Sequence, residues 1–310
     1  MPDYNPREKT ATLLRQALEI VQSVPYEVTT RWTFYRMSQI HGYPNKKKAY
    51  AHFKAMTSKA RHSFWEGWAP DTLADDSRGI VEMEDGFDNV GDWLRAVGEQ
   101  KPQYPAVEDQ KCIFELWFEA AAMRRQFEYY TSEYRIDLVP FGGDPSLKHK
   151  WNAARRVADL YNKYKLPIVI LYFGDFDPHG LQIPESALKH IWKWTGELDG
   201  IDTKLTKINN NEWKTSDGKF RYIRVGINAE HIGHMNIAEN PEKLGTYQWE
   251  ALNDEQAGEF ILDAIKPFWS KELLKITEEK ENRVGKKWNA YMKKNYKKIL
   301  KEMKMNEKEK

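Results

Sequence analysis

Apolar positions in the first quarter of the chain recur with a helical period. Leu13, Leu14, Ala17, Leu18 and Val21 fall on one stripe and predict an amphipathic helix that Pro25 ends. Thr29 or Thr30 can cap a second helix running through Met37, and Gly42 with Pro44 makes a turn. Asn45 can cap a third helix, with Tyr50, Phe53 and Met56 on a stripe that reads as core. Three short helices predict a helix-turn-helix or winged-helix module. Phe64, Trp65 and Trp68 cluster before the polar turn Asp75-Asp76-Ser77-Arg78. A further helix is predicted around Asp92 to Val97, and the Gly98 to Pro105 stretch reads as a linker.

The rhythm then changes to strand and helix in alternation. Cys112 to Phe118, Arg135 to Phe141, Pro167 to Phe173 and Phe220 to Ile227 read as strands. Glu119 to Tyr130, Leu147 to Tyr164 and about Ser186 to Trp194 read as helices, and Asn209 to Gly218 as a polar surface loop. This pattern predicts an α/β fold with a mostly parallel sheet. From Trp269 onward the pattern is a charged amphipathic helix that frays before Lys310. The expected division is an α-rich domain over 1–98, an α/β domain over 110–270 and a lysine-rich helical tail over 271–310. No internal repeat is visible.

Composition narrows the class without deciding it. The 310 residues suffice for a sizeable core and two domains. The single cysteine, Cys112, excludes an internal disulfide framework and points to an intracellular setting. The polar start carries no signal-peptide apolar region, and no apolar run is long enough to span a bilayer. Net charge is only +2, but its distribution is uneven. Arg31, Arg36, Lys46, Lys47, Lys48, Lys54, Lys59 and Arg61 follow one another with no Asp or Glu between them, whereas the middle of the chain is net acidic. An unbroken basic stretch of this kind predicts contact with a phosphate backbone.

The candidate chemistry centres on Pro167 to Gly180, PIVILYFGDFDPHG. A continuously apolar run bounded by Gly and Pro reads as a buried parallel strand, with Asp175 and Asp177 at its carboxyl end. Glu119 falls just past the first strand. Three carboxylates meeting there would repel one another without a cation, and they suit Mg²⁺ and phosphoryl chemistry. Tyr35 lies one helical turn from Arg31, whose guanidinium would favour the phenolate and could hold a scissile phosphate. Spacing alone reads Tyr35 as a half-buried helix aromatic and does not make it a nucleophile. His231 and His234 lack partners for a zinc set and read as surface or capping residues. Gly142-Gly143-Asp144 reads equally as a backbone approach to a phosphate or as a tight turn, and there is no G-x-x-x-x-G-K phosphate loop.

These segments together resemble the Spo11 / topoisomerase VI A-subunit family, especially its short bacterial and phage relatives. VTTRWTFYRM (Val28 to Met37) is similar to the family's tyrosine segment, with Tyr35 on the catalytic position. LADDSR (Leu73 to Arg78) resembles a turn closing the first module. FELWFEAAAM (Phe114 to Met123) resembles the first Toprim strand with its glutamate, Glu119, and GDFDPHG resembles the Toprim Asp-x-Asp. RYIRVGINAEHI (Arg221 to Ile232) is similar to a later strand and helix. The chain departs from the pattern at Ala120, where Lys is common. It departs again in YQWEALND (Tyr247 to Asp254), which keeps Glu250 but carries Ala251 where an acid is expected.

The resemblance implies a winged-helix domain followed by a Toprim domain in a cytoplasmic, nucleoid-associated protein. Tyr35 would attack double-stranded DNA with Arg31 neutralising the phosphate, and Glu119, Asp175 and Asp177 would hold Mg²⁺. It also implies a homodimer in which one protomer's tyrosine works with the other's metal site, and a separate ATPase subunit of B type. Two alternatives keep part of this picture. One is a Toprim nuclease that cuts with metal-activated water, and the other a non-catalytic DNA-binding subunit. An Asp-x-Asp phosphatase lacks its usual Thr after the second Asp.

Overall fold

The computed structural model describes residues 4–74, 86–143, 145–199, 204–306 and 308. Its chain opens with helices α1 (Glu8–Gln22), α2 (Thr30–His41) and α3 (Lys47–His62). Thr29 caps α2 by accepting from Trp32 N, and Gly42 ends it in the left-handed conformation at φ +65°. Asn45 does not cap α3; its Nδ2 donates to Glu239 O at 2.7 Å instead. Leu14, Ala17, Phe34, Phe53 and Trp68 form the centre of the module's core. Every residue of α2 from Trp32 to Met37 is buried, polar ones included. One face packs on α1 and α3, while Arg36 and Gln39 donate to Ala251 O at 2.8 and 2.9 Å. That double burial is why α2 lacks the polar stripe of a surface helix. Among the described residues this module adds one isolated bridge, Thr29 with Ala74, and no strand. The turn from Asp75 to Arg78 lies outside the described residues.

After α4 (Val90–Glu99) come β1 (Ile113–Phe118), α5 (Arg124–Thr131), β2 (Asp137–Pro140), α6 (Leu147–Tyr164), β3 (Ile168–Phe173) and α7 (Pro178–Asp199). They are followed by β4 (Leu205–Asn209), β5 (Glu212–Thr215), β6 (Phe220–Arg224), α8 (Ala229–Met235), α9 (Asp254–Ile265) and α10 (Lys271–Met303). The six strands form one mixed, mostly parallel sheet in the order β2-β1-β3-β6-β5-β4, as the α/β reading expected. Strands β2, β1, β3 and β6 are parallel, and β5 and β4 extend the sheet antiparallel.

Both central strands, β1 and β3, are buried at every position. Each fully buried apolar side chain there contributes about 1.5–3 kcal/mol. The one carboxylate in β1, Glu115, is wholly buried and must be paired. Arg156 Nε lies 2.6 Å from it, and Trp117 Nε1 donates at 2.8 Å.

Two expectations are corrected. The stretch from Asn209 to Gly218 is not all loop, because β5 sits within it. Its polar strand is held by pairing with β6 and by the burial of Trp213 and Thr215, neither of which gives a local apolar run. Helix α7 starts at Pro178 rather than near Ser186. Pro178 occupies the first helical position and Asp177 is its cap, accepting from Gly180 N at 2.7 Å.

By its contacts the chain divides into two compact units, Met1–Arg78 with Cys112–Phe268, and Gly79–Lys111 with Trp269–Lys310. Helix α4 therefore belongs with α10. Within that second unit Leu94, Met292 and Leu300 form a small core, and Asp109 pairs with Lys280 at 2.9 Å.

Candidate functional site

Strands β1 and β3 are parallel neighbours in register, Phe118 beside Phe173, so their carboxyl ends emerge together. The chain leaves β1 toward β2 on one side and β3 toward β6 on the other. The gap between them is thus a topological switch point, where ligands of open α/β sheets bind. Glu119 and Asp175 stand on either side of it. Asp175 N donates to Glu119 Oε2 at 3.0 Å, and Glu119 N donates to Phe173 O at 2.9 Å. Gly143, at φ +89°, donates its N–H to Glu119 O at 3.0 Å, so the glycine turn after β2 fixes the same corner.

The loop after β3 is packed by backbone contact. A Cβ on Gly226 would lie 2.1 Å from Gly174 O, and one on Gly180 would lie 2.4 Å from Asp175 O and 2.8 Å from Glu119 Oε2. Arg224, only 3 % exposed at the end of β6, ties this loop down. Its guanidinium donates to Asp175 O at 2.8 Å, to Gly180 O at 3.3 Å and to Asn228 Oδ1. Asn228 N donates to His231 Nδ1 at 3.1 Å, so His231 is the capping residue the sequence suggested.

The two aspartates differ sharply. Asp175 Oδ1 accepts from Trp249 N at 2.8 Å, and its pKa is raised well above the ordinary value. Burial is the main cause, followed by the charges of Glu250 and Glu119. Asp177 instead caps α7 and meets Lys243 Nζ at 3.1 Å. Glu250 is also held above its ordinary range by burial, with Arg31 opposing.

Arg31 and Tyr35 reach this edge from α2. Arg31 donates to Gln248 Oε1 and to Glu242 Oε2, the latter at 2.7 Å, and lies 5.1 Å from the Tyr50 ring. The Tyr35 hydroxyl donates to the same Gln248 oxygen at 3.3 Å. Tyr35 is completely buried, and its pKa is raised, first by burial and then by Glu250, with Arg31 opposing. Arg31 does favour the phenolate, as the sequence suggests, but desolvation outweighs the one cation.

The other basic residues divide. Arg36 is 3 % exposed, donates to Ala251 O, and is pushed down to about 10 by burial. It is a pin between α2 and the segment after Gln248, not a surface cation. Arg61 is half-buried and reaches Pro70 O at 3.4 Å. Lys46, Lys47, Lys48, Lys54 and Lys59 are exposed, and Lys54 Nζ lies 4.5 Å from the same Tyr50 ring.

Among the described residues no three His, Cys, Asp or Glu side chains converge closely enough to hold a metal ion as they stand. The donor set nevertheless fits a hard cation. Carboxylates crowd until the proton affinity of Asp175 is raised, and the Tyr172 hydroxyl is buried without a partner on the same edge. Glu119, Arg224 and Asp175 act on that hydroxyl electrostatically. A cation with its water would relieve both features.

Sequence reasoning missed Arg224, Lys243, Gln248 and the placement of Glu250. The alternation of β6, which puts Arg224 on the buried face with Phe220 and Tyr222, was a signal for Arg224; nothing local marked Lys243 or Gln248. No protein-family model matches the chain, no curated protein matches it, and no solved structure matches it.

Proposed function

We propose that the chain is a Mg²⁺-dependent DNA-cleaving protein of the topoisomerase VI A-subunit type, a winged-helix module joined to a Toprim domain. The observation that carries the reading is that Tyr35 and Arg31 share one hydrogen-bond acceptor, Gln248, beside Glu250 and Asp175 at the switch point. In this reading Tyr35 Oη bonds to the phosphorus of double-stranded DNA, the bond from phosphorus to O3′ breaks, and a 5′-phosphotyrosyl link and a 3′-hydroxyl result. Asp175 and Glu250, whose affinity for protons is raised, suit transfer of the phenol proton. Mg²⁺ held by Glu119, Asp175 and Asp177 would supply charge neutralisation at the phosphate. Lys243 has to leave Asp177 for that to happen.

Tyr35 in its own chain is closed to solvent, so no phosphodiester fits between it and Asp175. The resting contact must open, which suits a homodimer in which the tyrosine serves the partner's carboxylates. A separate ATPase subunit of B type would drive such opening. Incubation with end-labelled duplex DNA and Mg²⁺, then denaturation, is expected to give a covalent adduct that Tyr35→Phe abolishes. Mixing Tyr35→Phe with Asp175→Asn is expected to restore cutting of one strand; no adduct under any condition rejects the proposal. The burial of Tyr35 favours one second reading, hydrolysis by water, in which Tyr35→Phe still cuts.

A further inference from the structure

Helix α10 changes character at its middle. From Lys271 to Arg283 acids and bases interleave, as Lys275, Glu278, Glu279, Lys280 and Glu281 illustrate. From Val284 to Lys301 there is no Asp or Glu, but there are seven lysines: Lys286, Lys287, Lys293, Lys294, Lys297, Lys298 and Lys301. All seven are exposed. At 3.6 residues per turn they fall within an arc of about 140°. The adjoining sector carries Gly285, Met292, Tyr296 and Leu300, and it is used up within the second unit. Met292 and Leu300 pack on Leu94, Asn289 Nδ2 donates to Gly98 O at 3.0 Å, and a Cβ on Gly285 would lie 2.6 Å from Lys101 Cβ. On the other side of the lysines lie Trp288 and Tyr291, stacked with centroids 6.0 Å apart and 37 % and 56 % exposed.

A solvated helix face ordinarily mixes signs, as the first half of α10 does. Lysines at i,i+4, such as Lys293 with Lys297 and Lys297 with Lys301, destabilise a bare helix by a few tenths of a kcal/mol each. Among the described residues the carboxylate paired with any of the seven is Glu302, 3.7 Å from Lys298. The arc thus carries a repulsion that a polyanion would relieve. It runs for about 22 Å along the helix axis, and duplex DNA presents one phosphate charge per about 1.7 Å of its own. A membrane surface would need a broad apolar stripe, whereas Met292 and Leu300 pack on Leu94 and the Trp288 indole donates to Val97 O at 2.7 Å, which leaves Val284, Tyr291 and part of Trp288 as the apolar surface beside the lysines.

We infer that the second half of α10 is a nucleic-acid-binding surface, its lysine arc contacting the phosphate backbone of DNA. The choice of DNA rests on the proposed function, while the polyanion chemistry rests on the arc alone.

The test is fluorescence anisotropy of a labelled DNA duplex with the full chain across a salt series. Three proteins are compared: wild type, the arc variant K293Q/K294Q/K297Q/K298Q, and the α3 variant K47Q/K48Q/K54Q/K59Q. The arc variant is expected to bind about tenfold or more weakly near physiological salt, with a salt slope shallower by about 3–4. Replacement of the same four lysines by Arg is expected to keep binding, and circular dichroism to show helix content unchanged. Loss in the α3 variant with none in the arc variant overturns the inference and leaves the proposed function standing. Loss in the arc variant with none in the α3 variant supports the inference and removes the N-terminal module as the DNA-binding surface. Arc-dependent binding to phosphatidylserine vesicles without binding to DNA overturns it in favour of a membrane, and no binding to either overturns it outright.

Discussion

The arginines of α2 and the lysines in the second half of α10 put their charges to opposite uses. In α2, Arg31 is committed to Glu242 and Gln248, and Arg36 is buried against backbone carbonyls. In α10 every lysine of the arc points to solvent. The difference follows from side-chain chemistry. A guanidinium is weakly hydrated and can be buried with few partners, as Arg36 is with only Nη2 donating to Glu250 O and Ala251 O, whereas an ammonium is strongly hydrated and stays outside. A run of positive charge is therefore informative about ligands only after arginines and lysines have been separated by burial.

The comparison breaks most visibly at Asp175, the buried carboxylate that the charge of Glu250 acts on. Asp175→Asn is expected to lower adduct formation about a hundredfold to a thousandfold in the denaturing-gel assay. The same substitution is expected to change stability in the opposite sense. Because Asp175 is raised above its unfolded value, the folded chain holds a proton the unfolded chain releases. Stability then falls as pH rises from the unfolded carboxylate value of about 4 toward the folded one. Urea midpoints measured without Mg²⁺ should show this fall in wild type and a flatter profile in Asp175→Asn; Mg²⁺ should oppose the fall in wild type alone. A steeper decline in the variant would contradict the assignment.

The next effect in size is structural. Arg36→Ala is expected to cost about 2–4 kcal/mol in urea unfolding, because it empties a buried site and removes one of the two side-chain donors to Ala251 O. DNA affinity of the folded fraction should be unchanged, and a selective loss of affinity would return Arg36 to the binding surface. The arc variant of α10 should show the reverse, weaker binding at equal or slightly higher stability.

Smaller again is Lys243→Gln, which frees Asp177 and should tighten Mg²⁺ binding severalfold by isothermal calorimetry. Weaker binding would mean that Lys243 assists the site rather than blocking it. The smallest effect expected is on stability in Tyr35→Phe. Its hydroxyl makes a long bond of 3.3 Å, so less than about 1 kcal/mol should be lost. A larger loss would make Tyr35 a structural residue first.

How much of this was legible in advance depends on the range of the interaction responsible. The amino-acid order by itself determined β1, β3 and α6, since continuous apolar runs and a clean helical period are local signals. It also determined that Glu119 and Asp175 stand at strand ends, because the apolar run stops at Glu119 after Phe118 and at Gly174 before Asp175. Pro178 was read as a strand terminator and is the start of α7, an ambiguity that the distant packing of that helix resolved. Only the tertiary structure decided that Tyr35 is buried, that Arg36 faces inward and that Arg224 holds the Asp175 loop. Gln248 and Glu250 join Arg31 and Tyr35 from more than 200 residues away in sequence. Burial is set by what lies on the far side of a residue, and no period along the chain records that. For the same reason sequence marked both basic stretches, and only packing against the rest of each unit separated the charges turned inward from those left facing water.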